Sequence, residues 1–388
     1  MIPTRQSVPC GHRRRGGRRV LLVLGLMVTA LATACGGSSN SDTAPPLAPV
    51  MTDGTLPRFP EGTKLRMVTH DSFAMTTEVI DKFTAQTGVE VEILMQGDAG
   101  VMVNAAILTA GDPQGDLLFG IDENLLAPAF DADLFQVFRP EGLRNVGSRF
   151  QIDDSSRVTP IDRGEVCVNF DRNWFTQRSL TLPQRLEDLA DPAYKGLLTV
   201  QDPSASTPGL AFMLATIARF GGGDDPSPSA PWLEYWRSLK ANEVSVVDSW
   251  ETAYYTSFSG SSGEGSSPLV VSYSSSPPAE VTDPSIAVDA TPTGVIADTC
   301  FQQIEFAGVL TGAQQPRAAQ AFIEFMLGER FQQELPSQMY VYPVVNGVTL
   351  PDVFARYSTP VPEPLSLPFS EVATNRERWI SQWAGIFR

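Results

Sequence analysis

The sequence predicts an α/β protein with a mostly parallel sheet covered by helices on both faces, in a chain long enough for two domains. Three observations carry that expectation. Strand-like and helix-like segments alternate from residue 64 onward, the pattern of parallel sheets with crossover helices. The 388 residues suffice for two domains of ordinary size once the processed ends are set aside. Between a short apolar leader and this alternating body, Gly36 to about Pro60 is rich in Ser, Gly, Pro and Thr with no period.

The leader comes first in chain order. Arg13, Arg14, Arg15, Arg18 and Arg19 precede an uncharged apolar run, Val20 to Ala34. As a helix that run would span only about 22 Å, short of a bilayer core, so residues 1–34 read as a signal sequence and not as a permanent span. Leu31-Ala32-Thr33-Ala34-Cys35-Gly36-Gly37 resembles a bacterial lipobox, in which Cys35 is acylated and begins the mature chain. Ala32 stands where Leu is commoner, and an ordinary signal peptide with a coincidental cysteine is the other reading. Residues 35–60 follow as a flexible tether spanning roughly 25–30 Å. The localisation this implies is extracytoplasmic, with the membrane reached through the lipid anchor only.

The body opens as β-α-β-α-β. Lys64–Thr69 alternates like a strand, and Thr77–Thr87 sets Val79, Ile80 and Phe83 on one helical face before stopping at Gly88. Val89–Met95 is a second strand, Val101–Thr109 a short helix and Asp116–Ile121 a third strand. The middle continues with strand Val166–Phe170, a helix around Pro183–Ala190, strand Leu197–Gln201 and helix Pro208–Phe220. Helix Trp232–Leu239, strand Val244–Val247, helix Trp250–Phe258 and strand Leu269–Tyr273 come next, with Ser259–Pro268 a low-complexity surface loop. Gln314–Leu327 is amphipathic. A last helix from Ser370 aligns Val372, Trp379, Ile380, Trp383 and Phe387 as a core stripe.

Charge and composition exclude more than they select. Without residues 1–34 the chain keeps 22 basic and 44 acidic residues, a net charge of −22. Such a surface repels nucleic acid and favours cationic ligands in a general way. Only His12 and His70 are histidines, which leaves no material for a His-rich metal site, and no metal or cofactor is expected. There is no Walker A loop, dinucleotide glycine fingerprint, zinc-ligand spacing or Gly-x-Ser-x-Gly elbow. Catalytic residues are therefore not assigned. Beyond Cys10 and Cys35, Cys167 and Cys300 remain, each in a short apolar strand-like run. In an oxidising compartment two such cysteines pair, and one disulfide is expected; two buried thiols are the alternative.

Ligands of such sheets lie where strand ends lead into helix N-termini. His70-Asp71-Ser72-Phe73 follows the first strand, where Asp71 can oppose a cation and Ser72 can cap the next helix. Gly97-Asp98-Ala99-Gly100 follows the second strand and Asp122-Glu123-Asn124 the third, so several carboxylates converge on one cleft. In Gln201 to Leu210, Thr207 is the expected N-cap with Pro208 at the first helical position, beside the hydroxyl of Ser206. Trp250, Tyr273 and Tyr340 bring aromatic faces to element ends, where flat cationic rings are held at about 0.5–2 kcal/mol per contact.

In order and spacing these segments resemble the thiamine-binding periplasmic subunit of bacterial ABC importers. The matching strings are Asp71-Ser72-Phe73; Gly120 to Leu126; Gln201-Asp202-Pro203 with Ser206-Thr207-Pro208-Gly209-Leu210; Trp250 with Ala253-Tyr254; Ser272-Tyr273 with Ser276-Pro277; Tyr342-Pro343-Val344; Thr349-Leu350-Pro351; and Trp379-Ile380-Ser381 with Trp383. His70 stands where that family has Tyr, and Tyr340 where it has Trp. The resemblance implies a two-lobed, Venus-flytrap (type II) binding protein that is not an enzyme. Thiamine or a thiamine phosphate is its ligand, an ABC permease its partner, and it acts as a monomer. Carried across residue by residue, it nominates Asp71, Ser72, Asp122, Ser206, Trp250, Tyr273 and Tyr340 for the ligand. It also implies lobe 1 from residues 61–164 and 297–345, lobe 2 from 165–296, and a C-terminal helical segment, 346–388. Ferric-ion binding, suggested by Tyr254-Tyr255, or polyamine binding on the same fold is the nearest alternative, and an extracellular carboxylate-dependent hydrolase the remote one.

Overall fold

The computed structural model describes residues 55–262 and 264–387; the leader, Cys35 and most of the tether lie outside them. Residues 55–60 belong to the body and not to a free tether. Leu56 and Phe59 pack on the core, and the Phe59 N–H donates to the Thr87 carbonyl at 2.8 Å.

The first lobe is built on β1 (Lys64–Thr69), α1 (Thr77–Thr87), β2 (Glu90–Met95), α2 (Ala99–Leu108), β3 (Leu117–Asp122) and α3 (Leu126–Asp131). β1 lies between β2 and β3, parallel to both. α1 ends where the periodicity ends, with Gly88 left-handed at φ 80° and its N–H closing on Thr84. β4 (Thr159–Asp171) and α4 (Arg172–Arg178) lead into the second lobe, which holds β5 (Leu198–Gln201), α5 (Thr207–Phe220), α6 (Pro231–Ala241), β6 (Ser245–Val247), a π-helical turn Thr252–Ser257, α7 (Ser259–Ser262) and β7 (Leu269–Tyr273). β5 pairs in parallel with both β6 and β7. β8 (Thr293–Val309) returns the chain to lobe 1, where α8 (Pro316–Met326), α9 (Glu329–Gln338) and β9 (Tyr342–Pro343) complete it; α10 (Asp352–Tyr357) and α11 (Phe369–Phe387) close the chain.

β4 and β8 are the crossing strands. They pair antiparallel from Thr159 opposite Ala307 to Asp171 opposite Thr293. One end of β8 borders β3 and the far half of β4 borders β7, which joins the strands in the order β2-β1-β3-β8-β4-β7-β5-β6. Each lobe thus has a parallel trio, and the sheet expected to be mostly parallel is mixed because its middle is made of the chain's passage out and back. Their register slips between Val166 and Val168, and there Cys167 and Cys300 form a disulfide with Cα atoms 4.1 Å apart. The bond closes a loop across a sequence separation of 133, worth about 4–5 kcal/mol in the chain-entropy account.

One continuous apolar core runs through both lobes. Phe83 meets Phe322 edge-on at 4.8 Å in the first, and Trp236 meets Phe212 at 5.7 Å in the second. α11 leans on both lobes, touching α6 and the Glu123–Leu125 turn. Its stripe is buried as the periodicity predicts at Val372, Trp379 and Trp383.

Several elements depart from their expected form. The helix expected around Pro183–Ala190 is a short 3-10 turn, Leu186–Ala190, because Asp188 turns back to accept the Gln184 and Arg185 N–H groups. The strand expected at Val166–Phe170 is thirteen residues long, since its polar first half is paired on both sides inside the sheet. α5 is capped by Ser206, with Thr207 and Pro208 one position further in than expected, and Ser206 makes no side-chain capping bond. Ser72 caps nothing, as α1 begins five residues later behind Thr76. The low-complexity stretch after Phe258 is partly structured by α7 and by the hydrogen bonds of Ser259 and Ser267.

Candidate functional site

A cavity of about 260 Å³ lies between the lobes, against the crossing strands. The lobe 1 wall is polar. His70, Asp71 and Ser72 follow β1, Asp98 stands at the start of α2, and Glu305 projects from β8. The Asp71 carboxylate accepts the Gly97 N–H at 2.8 Å, which ties the two strand-end loops together. His70 is buried, and its ring lies over Gly120, where φ is +96° and a Cβ would sit 2.2 Å from His70 Cδ2. A glycine is required there both by the backbone and by the ring above it. His70 Nε2 stands 3.8 Å from Glu305 Oε2, an ion contact too long for a hydrogen bond. Burial disfavours the imidazolium most, but Glu305, with Asp98 and Asp71, together outweigh it and the His70 pKa ends above its ordinary value.

The lobe 2 wall is aromatic. Trp250, Tyr254 and Tyr255 stand on or beside the π-helical turn, and Tyr273 ends β7. Tyr254 stacks on Trp250 four residues before it, with centroids 5.1 Å apart and planes within 16°. The Trp250 indole N–H donates to Ser272 Oγ at 3.0 Å, and Ser276 Oγ continues that chain at 2.8 Å. Tyr273 rests on Gly164 of the crossing strand, where a Cβ would lie 2.9 Å from the Tyr273 ring. Tyr340, entering from the lobe 1 side, holds φ +54°, a left-handed backbone that a tyrosine seldom adopts. The first residues of α5, Thr207 and Pro208, reach the cavity at its lower edge.

The walls meet at one seam. Asp98 Oδ2 accepts the Trp250 backbone N–H at 2.9 Å across the cleft, while Oδ1 caps α2 through Ala99. Burial raises the Asp98 pKa, against the pull of the Trp250 N–H, the neighbouring Ser206 hydroxyl and His70. Alongside, Gly100 comes so close to the Ala205 carbonyl that a Cβ would fall 2.4 Å from its oxygen.

Of the residues nominated from the sequence, Asp71, Ser72, Trp250, Tyr273 and Tyr340 line this one cavity. Asp122 and Ser206 do not. Asp122 is fully buried beneath the floor, accepting the Asn124 N–H, and Ser206 is buried behind Asp98. Sequence reasoning passed over Glu305 and left Asp98 unnominated. The available signal for Glu305 was a charged residue alternating with Ile304 and Phe306 inside a long buried strand. Asp98 differs in that its role depends on a partner 152 residues away.

Residues 112–359 match the family model described as bacterial extracellular solute-binding protein. The thiamine-binding periplasmic protein of Escherichia coli (strain K12) is 29% identical over 331 residues, 82% of this chain and 92% of that protein. Its counterpart in Brucella abortus biovar 1 is 30% identical over 345 residues, 85% of this chain and 94% of that one. A solved periplasmic thiamin binding protein superposes with a TM-score of 0.70 at 27% identity, covering 86% of this chain and 99% of the other. With its crossing strands and inter-lobe cleft, the chain belongs to the bacterial extracellular solute-binding proteins and is a homologue of the thiamine-binding periplasmic proteins.

Proposed function

We propose that this protein captures thiamine or a thiamine phosphate between its lobes and delivers it to an ABC importer, making and breaking no covalent bond. One observation carries the reading: Trp250, Tyr273 and Asp71, far apart in sequence, line a single cavity that also holds Glu305. Aromatic faces on one side and carboxylates on the other suit a flat, positively charged ring. The thiamine-binding homologues support the choice of ligand. In this reading the lobes are residues 61–164 with 297–345, and 165–296; the C-terminal segment 346–388 braces both. Asp122 and Ser206 support the site from behind through Glu305 and Asp98. Ligand bridging stabilises the closed form by its differential contacts, and that form docks on the permease as a monomer. Cys35 carries the lipid, which holds the protein at the outer face of the membrane; no helix among the described residues is long and apolar enough to cross one.

The tyrosine pair does not favour ferric ion. Tyr254 donates its hydroxyl to Glu280 at 2.9 Å, and burial with that carboxylate beside it pushes the phenol well above its ordinary pKa. A phenolate ligand would need the opposite. Titrating the delipidated protein with thiamine in a calorimeter tests the proposal, with saturable binding at one site expected. No binding of thiamine, or an intense phenolate-to-iron colour with ferric salt, would overturn it.

A further inference from the structure

We propose that capture of a cationic ligand in this cleft is proton-linked: the ligand's charge displaces a proton held by two buried carboxyl groups, Asp122 and Asp162, that flank Glu305. The inference rests on the cation-binding reading above and adds to it a coupling to pH.

Strand register makes the row. Asp122 on β3 and Asp162 on β4 are both paired with Glu305 on β8 between them. Directly opposed residues project from the same face of a sheet, so three carboxyl groups stand side by side. Their exposures are 0%, 6% and 0% for Asp122, Glu305 and Asp162, and Glu305 is the member that reaches the cavity. Both oxygens of Asp162 and Oδ2 of Asp122 are buried without a hydrogen-bond donor. An ionised carboxylate in that position is heavily penalised, whereas a protonated Asp162 can donate to Glu305.

The surrounding groups do not neutralise the row. His70 faces Glu305 from the end of β1, and Arg376 of α11 acts on Asp122. Gln303 Nε2 approaches Glu305 Oε1 at 3.3 Å, and Asn124 serves Asp122 from the turn after β3. Against them stand Glu123 beside Asp122, Asp98 beside His70, and the Tyr273 phenol of β7 facing Glu305. Burial first, and the Glu305 charge second, raise Asp122 to about 7 and Asp162 well above the carboxylate range. The two aspartates flanking Glu305 therefore hold a proton near neutrality. When a cation arrives beside Glu305 and offsets its charge, ionisation of the flanking aspartate is favoured; the O–H proton passes to water or buffer, and the new negative charge is matched by the ligand's positive one.

Calorimetry of thiamine binding at pH 7, in two buffers of different ionisation enthalpy, counts the protons released. About half to one proton is expected, with affinity rising several-fold per pH unit between about 6 and 8. Asp162→Asn should cut the count to a small remainder, and His70→Tyr should leave it in place. Tight binding with no proton released overturns the inference and leaves the thiamine reading standing. Loss of the release in His70→Tyr also overturns it, by moving the proton to the imidazole. Absence of thiamine binding removes both. If Asp162→Asn fails to fold, the wild-type and His70→Tyr counts decide together.

Discussion

The two walls of the cleft reach the same cavity by different construction. On the lobe 1 side, charged groups sit at the ends of β1 and β2 and on β8, held by backbone hydrogen bonds and strand register. On the lobe 2 side, rings are offered by a π-helical turn and by the end of β7, held by stacking and a hydroxyl chain. Rings grip by area and tolerate small displacements, whereas charge–charge preference depends on burial and on neighbours. On the proposed function, this division would assign most of the affinity to lobe 2 and the ligand's charge preference to lobe 1. The two walls touch at the seam of Asp98 with Trp250 and Gly100 with Ala205.

The comparison breaks most easily at the aromatic wall. Trp250→Ala and Tyr273→Ala should each weaken thiamine binding at least about tenfold, measured by calorimetry; unchanged affinity in both would mean the rings do not hold the ligand. A smaller loss is expected at the seam. In Gly100→Ala the new methyl meets the Ala205 carbonyl, at 2.4 Å from its oxygen, so the lobes cannot approach as before. Affinity should fall about fivefold through a faster off-rate, and small-angle scattering of the thiamine-saturated protein should show a larger radius than wild type. A wild-type off-rate would show that the seam is not part of closure. The smallest effect belongs to the buried carboxyl behind the charged wall, without ligand. Asp122 has a folded pKa of about 7, above its unfolded value, so the stability it contributes is present at low pH and lost as pH rises toward 7. The ligand-free protein should melt a few degrees lower at pH 7.5 than at pH 5.5 from this source, and Asp122→Asn should flatten the slope.

Much of lobe 1 could be read directly. β1 and α1 fall at the residues their periodicity marks, because a parallel strand and a helix ending in Gly88 are set by neighbours within a few positions. The crossing strands could not. Asp162, Arg163 and Gly164 interrupt the apolar pattern of β4, and only pairing with β8 on one side and β9 on the other makes them strand residues. The same limit applied to the site. Trp250 and Tyr273 announced themselves as aromatics at element ends, while Asp122 looked like a cleft residue and is instead covered by its neighbours.

By itself, then, the amino-acid sequence determined the alternation of strands and helices, the aromatic and acidic loops at strand ends, and which cysteines were left to pair. Tertiary structure alone decided that β4 and β8 lie together, that Asp122, Glu305 and Asp162 share one row, and that Asp98 reaches Trp250. The reason is physical. Local periodicity reports which face of an element is apolar, whereas register between strands more than a hundred residues apart is settled only when the two lobes pack and the chain crosses between them.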